Sequence, residues 1–267
     1  MINISIVLYK HSWSQTSALI TALLKVKGLN TLYLIDNSPV PDKDFRDKGA
    51  QYIFTGSNRG YGAGHNIALR KSLRQDVPYH IVINPDVEIN PEILEELLAY
   101  MEQNPQVGQL MPKIVYPDGS LQYLCKLLPT PIELFGRRFL PEAFNRQKME
   151  RFEMRKTGYR EIMEVPYLSG CFMMLRTSAL KETGLFDERF FMYPEDIDLT
   201  RRMHKRFKTV FYPKVSIVHH HEQGSYTSKK MLMIHIINLI RYFNKWGWWF
   251  DPERKLINKR IIQLYQL

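Results

Sequence analysis

Two cysteines in 267 residues are too few for a disulfide framework. Cys125 and Cys171 stand far apart without metal-type spacing, so both are expected as buried thiols in a reducing compartment. Residues 1–12 lack the basic opening, long apolar middle and small-residue cleavage site of a secretory signal, and 2–9 read instead as a first strand. A cytoplasmic protein is the expectation. No uninterrupted apolar run reaches the ~20 residues that span a bilayer. Repeats and low-complexity tracts are also missing. Negative charge is in deficit: 37 Lys and Arg face 27 Asp and Glu, a formal +10. That excess favours phosphates, nucleic acid or an anionic membrane surface. Much of it is local, because residues 226–267 carry Lys229, Lys230, Arg241, Lys245, Arg254, Lys255, Lys259 and Arg260 against only Asp251 and Glu253. The rest of the chain is much closer to neutral.

What remains is an ordinary globular composition, 45% hydrophobic and 24% charged. Apolar runs at 4–9, 31–35, 51–55 and 80–83 alternate with amphipathic stretches at 14–26 and 65–73. This pattern predicts an α/β fold, a mainly parallel central sheet flanked by helices. In open sheets of that kind ligands sit beyond the carboxyl ends of the strands. Three polar clusters follow three apolar runs there: Asp36-Asn37-Ser38, Asn58-Arg59-Gly60 and Asn84-Pro85-Asp86. A helix over 91–102 comes next. A basic, aromatic, irregular stretch from 122 to 160 follows, then an apolar run at 167–175. A helix is expected from the acidic cluster near 195 to about 205, and two short strands at 209–212 and 215–219.

Asp86, directly after Ile81-Val82-Ile83, is placed to hold Mg²⁺ or Mn²⁺ whose other positions take phosphate oxygens, although Asn-Pro-Asp is also a common turn. Glu195-Asp196-Ile197-Asp198 opens the later helix, where acids often only complement the helix dipole. Beside it, however, stands the apolar wall Phe190-Phe191-Met192-Tyr193-Pro194, and apolar surroundings raise a carboxylate's proton affinity towards general-base values.

In order and spacing, the first strand with Tyr9, Asp36-Asn37-Ser38, the run Asn58-Arg59-Gly60-Tyr61-Gly62-Ala63-Gly64-His65-Asn66, Asn84-Pro85-Asp86-Val87, Leu168-Ser169-Gly170-Cys171-Phe172 and the segment 186–199 resemble inverting family 2 glycosyltransferases. Within that family the sequence is most similar to rhamnosyltransferase-type enzymes of bacterial polysaccharide and O-antigen assembly, over roughly residues 2–226. The resemblance implies a GT-A fold, a catalytic domain over 1–226 and a helical extension over 227–267. It implies that a nucleotide-sugar is bound by Tyr9, Asp36, Asn58, Arg59, Gly60, Gly64, Asn66, Asn84, Asp86, Ser169 and Gly170. Asp196 matches the base, with Glu195 beside it. The metal, Mg²⁺ or Mn²⁺, falls to Asp86 with His219 and His221, or with His220 alone, since alternate residues of a strand share a face and the spacing does not settle which face meets the site. A zinc site is a poor alternative for this His run. Arg137 and Arg138 become candidates for the diphosphate of a lipid-linked acceptor, or a solvated face. The donor implied is dTDP-L-rhamnose, with a UDP-sugar as the alternative. Asn-Pro-Asp in place of Asp-x-Asp leaves the metal on one carboxylate.

Two other classes compete. Gly60-Tyr61-Gly62 before a helix, with Asp86 about twenty residues on, partly matches a dinucleotide-binding fingerprint, but His65 replaces its third glycine. A non-catalytic nucleic-acid or membrane-binding protein fits the charge, although the acidic clusters oppose a nucleic-acid groove. In the extension, His235, Asn238, Arg241 and Asn244 recur every third position opposite Leu232, Ile236, Leu239, Ile240 and Phe243. That apolar face, with Trp246, Trp248, Trp249 and Phe250 among bases, suits a peripheral anchor on the inner face of the cytoplasmic membrane. The alternative is packing on the first domain or, in a homodimer, on a second copy.

Overall fold

A computed structural model describes residues 1–134, 142–220 and 229–267. Strand β1, Ile2–Leu8, is buried along its length because both neighbours and both faces are covered. It pairs in parallel with β2, Leu29–Asp36, and with β4, Tyr79–Ile83. β3, Gln51–Phe54, adds in parallel beyond β2. On the other side β10, Phe172–Arg176, runs antiparallel between β4 and β6, Val107–Val115. β11, Lys208–His219, is parallel to β6. β5, Val87–Glu88, and β8, Met163–Glu164, pair antiparallel with β11. The order β3-β2-β1-β4-β10-β6-β11-β5 makes one mixed, mainly parallel sheet. A two-stranded ladder of β7, Cys125–Lys126, and β9, Tyr167–Leu168, stands apart from it.

The helices lie where alternation in the sequence put them, with ends moved by a few residues. α1 spans Trp13–Leu23, α2 Tyr61–Arg74, α3 Ile93–Gln103, and α6 Glu195–His204. Two more are α4 at Glu142–Phe152, inside the stretch expected to be irregular, and α5 at Thr177–Thr183, directly after the apolar run at 167–175. The two strands expected at 209–212 and 215–219 are one strand, β11. Its register breaks between Tyr212 and Ser216, around Pro213, which has no N–H to give a ladder. Both cysteines are free and buried.

The extension forms α7, Lys229–Trp246, and α8, Pro252–Tyr265. The turn between them depends on Gly247, with φ 100°, where a Cβ would stand 2.5 Å from Phe250 O. Asp251 caps α8 by accepting the Arg254 N–H at 2.9 Å. The same carboxylate takes both Nη atoms of Arg201 in α6 at 2.8 Å, with the two side chains 1% and 2% exposed. Losing one partner of so buried a pair costs about 3–5 kcal/mol. Trp246 Nε1 and Lys245 Nζ both reach Asp198 Oδ1, at 2.8 and 2.6 Å. The extension therefore packs directly on α6. The packed face overlaps the one the periodicity indicated but is turned towards its polar side. Leu239, Tyr242 and Phe243 are buried against Phe190 and Ile197, but so is Asn238, whose Nδ2 donates to Met192 O at 2.9 Å. Arg241 donates to Arg189 O at 2.7 Å, whereas Met233, Ile237 and Ile240 are exposed. No helix among the described residues is long and apolar enough to cross a membrane.

Candidate active site

At the carboxyl end of β2, Asp36 is 2% exposed. Its Oδ1 accepts the Ser38 N–H at 2.9 Å, and its Oδ2 accepts the Tyr52 hydroxyl. Burial and then this carboxylate raise the Tyr52 pKa, so the phenol remains a donor. Asn37 ties down the following loop: its Nδ2 donates to Gly60 O and its Oδ1 accepts the Thr55 hydroxyl, both at 3.0 Å. Asn58 Oδ1 accepts the Gly60 N–H at 3.1 Å, while Arg59 is exposed. Tyr9 is exposed beyond β1, and the Lys10 N–H beside it donates to Ser38 Oγ at 2.7 Å.

α2 starts on Gly60 at φ 89°, where a Cβ would lie 2.2 Å from Phe191 O. Side chains on Gly62 and Gly64 would come 2.8 Å from Phe186 and 2.7 Å from Val7. These glycines admit protein, not a pyrophosphate, which removes the dinucleotide fingerprint's physical basis. Asn66 is 1% exposed, and its carboxamide is fully occupied by Phe186 N–H, Phe186 O and Glu188. It fastens the segment that leads to α6 rather than facing the cleft.

Asp86 lies between β4 and β5, and His219 ends β11 opposite it. His219 Nε2 is 3.4 Å from Asp86 Oδ1 and 3.4 Å from Asn84 Nδ2. Gln122 sets the imidazole's tautomer. Its Nε2 donates to His219 O at 2.6 Å, which leaves its Oε1 to accept His219 Nδ1–H at 3.0 Å. Nε2 then carries the lone pair and points at the carboxylate, the arrangement of a metal-ligating histidine with its second-shell acceptor. One carboxylate oxygen and one imidazole nitrogen suit a divalent cation that takes further ligands from a diphosphate. Among the described residues, no group of three or more His, Cys, Asp or Glu side chains forms a metal cage. His220 points away and meets Glu88 at 2.6 Å. His221, Arg137 and Arg138 lie outside the described residues.

The third group comes from α6 and the turn before β10. Asp196 is half-buried; its Oδ1 accepts the Ile197 N–H at 2.8 Å and its Oδ2 the Gly170 N–H at 3.0 Å. Burial raises its pKa, against these two bonds and the charge of Lys126. Glu195 is 4% exposed, and its Oε2 has no hydrogen-bond partner among the described residues. Burial and then the charge of Asp196 hold its pKa well above the carboxylate range. Glu195 is displaced further upward than Asp196, so Asp196 is the one of the pair that ionises first as pH rises. Cys171, whose N–H lies 3.4 Å from Ser169 Oγ, has its thiol pushed up to about 12 by burial first and also by both Asp86 and Asp196. Its carbonyl accepts the Asn84 N–H at 2.9 Å and the preceding Gly170 N–H is on Asp196, so it links the segments that carry the two carboxylates.

Asp86, His219, Glu195 and Asp196 were readable as chemical groups in order along the chain. Tyr61, Gln122 and Lys126 were not singled out for roles, because what they hold is a backbone atom or a charge brought near only by the fold. A polar Gln122 or Lys126 inside an otherwise apolar run was the one available sign.

The Glycosyl transferase family 2 profile matches residues 35–184. Over 221 residues the chain is 31% identical to an N-acetylglucosaminyl-diphospho-decaprenol L-rhamnosyltransferase of Mycobacterium tuberculosis, covering 75% of this chain and 69% of that protein. It is 27% identical over 202 residues to the rhamnosyltransferase WbbL of Escherichia coli K12, covering 73% of each. Among solved structures, GalNAc-T7 with UDP, GalNAc and Mn²⁺ superposes with a TM-score of 0.63 at 14% identity over 92% of this chain. The chain spans 48% of that one, so the likeness is one of GT-A fold alone.

Proposed function

Because the chain belongs to glycosyltransferase family 2, we propose that it moves one sugar, with inversion, from a nucleoside diphosphate donor to a hydroxyl of a bacterial surface glycan under assembly. The observation that carries this reading is the pairing of Asp86–His219 with Glu195–Asp196 across one space bounded by Cys171. Asp36 and the loop 55–60 would hold the nucleoside. Asp86 Oδ1 and His219 Nε2 would hold Mg²⁺ or Mn²⁺. When bound there, such an ion supplies positive charge to the leaving diphosphate. Asp196 takes the proton of the acceptor hydroxyl as its oxygen bonds to the anomeric carbon. The bond from that carbon to the diphosphate breaks on the opposite face, which inverts the centre. Glu195 keeps its own proton and limits the charge buried around the base.

The named relatives favour dTDP-L-rhamnose as donor, with a UDP-sugar as the alternative. The decaprenol in one relative's name favours a lipid-linked acceptor, and hence work at the inner face of the cytoplasmic membrane. Transfer from dTDP-L-rhamnose and from UDP-sugars to an N-acetylglucosaminyl-diphospho-lipid, followed by the anomeric configuration of the product, tests the reaction. Asp196→Asn is expected to lower turnover by about 10²-fold to 10⁴-fold while donor binding persists. Turnover near wild type in that variant removes the base from Asp196.

A further inference from the structure

Asp196 owes its place to a residue from the opposite half of the molecule. Tyr61, the first residue of α2, holds both segments that flank the carboxylate. Its backbone N–H donates to Phe191 O at 2.9 Å, in the stretch that enters α6. Its hydroxyl donates to Gly170 O at 2.6 Å, and Gly170 N–H donates to Asp196 Oδ2 at 3.0 Å. Gly170 is wedged between the two side chains: a Cβ there would stand 3.1 Å from Asp196 Cβ and 3.6 Å from the Tyr61 ring. Tyr61 is in turn fixed from the β2 side. Asn37 Nδ2 holds Gly60 O at 3.0 Å, and the His65 ring meets Tyr61 edge-on at 4.5 Å, itself bonded to Ser5 Oγ at 2.7 Å. The phenol is held in its protonated, donating form by burial and by the carboxylates around it.

We propose that Tyr61 is a positioning residue for the base: its hydroxyl fixes Gly170 so that the Gly170 N–H stays on Asp196, joining the nucleoside-side strand ends to the proton acceptor. The inference rests on the reading of Asp196 as base. A carboxylate that loses an N–H donor binds its proton more tightly, so a loosened Gly170 raises the Asp196 pKa and lowers turnover. The other groups facing Asp196 are Glu195 on its own helix, Lys126 on β7 and Cys171 before β10, and Tyr61→Phe leaves each of these residues in the chain.

The test is carboxyl-¹³C NMR titration of aspartate-labelled full-length protein, with the Asp196 resonance identified by its absence in Asp196→Asn. In Tyr61→Phe, which keeps the ring, Asp196 should titrate about one unit higher, the equivalent of losing one bond to a charged group. Tyr33→Phe removes a buried hydroxyl that donates to Gln75 at 3.3 Å, beyond the far end of α2, and should leave Asp196 where the wild type has it. An unshifted Asp196 in Tyr61→Phe, or an equal shift in Tyr33→Phe, overturns the proposal. Turnover separates it from the reading beneath: an active Asp196→Asn defeats the base assignment, whereas an inactive Asp196→Asn beside an unshifted Tyr61→Phe defeats the positioning role alone.

Discussion

At Glu195 and Asp196 two adjacent acids meet different surroundings. Two N–H donors stabilise the charge on Asp196, while Glu195 Oε2 meets no donor among the described residues. Both pKa values are displaced upward, so the pair retains a proton above the usual carboxylate range near 4. The ionised base is the form that declines as pH falls through that raised value. Turnover should therefore be lost on the acid side, at a pH above ordinary carboxylate titration. Glu195→Gln replaces a protonated carboxyl by a neutral amide, so the acid limb of kcat/KM should stay in place; a limb that moves to lower pH reveals a like charge on Glu195 and contradicts the division of labour. The two acids could be read from the sequence because an acidic run beside an apolar wall is a local pattern. The part played by Gln122 could not, since it depends on β11 ending where a glutamine from another segment can grip both the ring and the carbonyl of His219.

Among the elements, α7 shows what periodicity reports and what it leaves open. The every-third-residue polar pattern located the helix, but its ends follow from Gly247, and its buried side follows from the acids on α6 and the segment before it. Asp187 and Asp198 draw Lys245 and Trp246 inward, and carbonyls of residues 189 and 192 draw Arg241 and Asn238 after them. Polar residues that looked solvent-facing thus line the contact. Met233, Ile237 and Ile240 are left on the outside at 58%, 41% and 39% exposure, with Trp249 and Phe250 at 71% and 86% in the turn that follows. The extension's two acids, Asp251 and Glu253, are paired with Arg201 and Lys205, so Lys255 and Lys259 remain exposed without a carboxylate partner among the described residues. Apolar and aromatic groups beside net positive charge are what an anionic bilayer surface accepts. Truncation would strand Arg201 in the interior, so the membrane reading is better tested by surface substitution. Full-length protein should float with phosphatidylglycerol vesicles and be released by high salt, and Trp249→Ser with Phe250→Ser should lose flotation while keeping the wild-type fold. Flotation by neither protein, or equally by both, returns this face to a protein contact.

The large mixed sheet of the molecule has its polar groups gathered at the carboxyl ends of its strands, and that end was readable because three apolar runs each led into a polar cluster. The insertion of β10 antiparallel between β4 and β6 was not, since a fully buried run looks the same in either direction. Yet that insertion is what carries Gly170 and Cys171 between Asp86 and Asp196, so the sheet order itself assembles the site. Under the proposed function, Asp86 and His219 bind a nucleoside diphosphate sugar through a divalent cation. The most direct measurement of this binding is the thermal stability of full-length protein against a panel beginning with dTDP-L-rhamnose and UDP-sugars, with Mn²⁺ or chelator, in wild type and Asp86→Ala. At a hundred times its dissociation constant a donor should add about 2.7 kcal/mol. At least one donor should do so in wild type with Mn²⁺, and chelator or Asp86→Ala should abolish the gain; stabilisation indifferent to both, or by no donor on the panel, contradicts metal-bridged donor binding at Asp86 and His219.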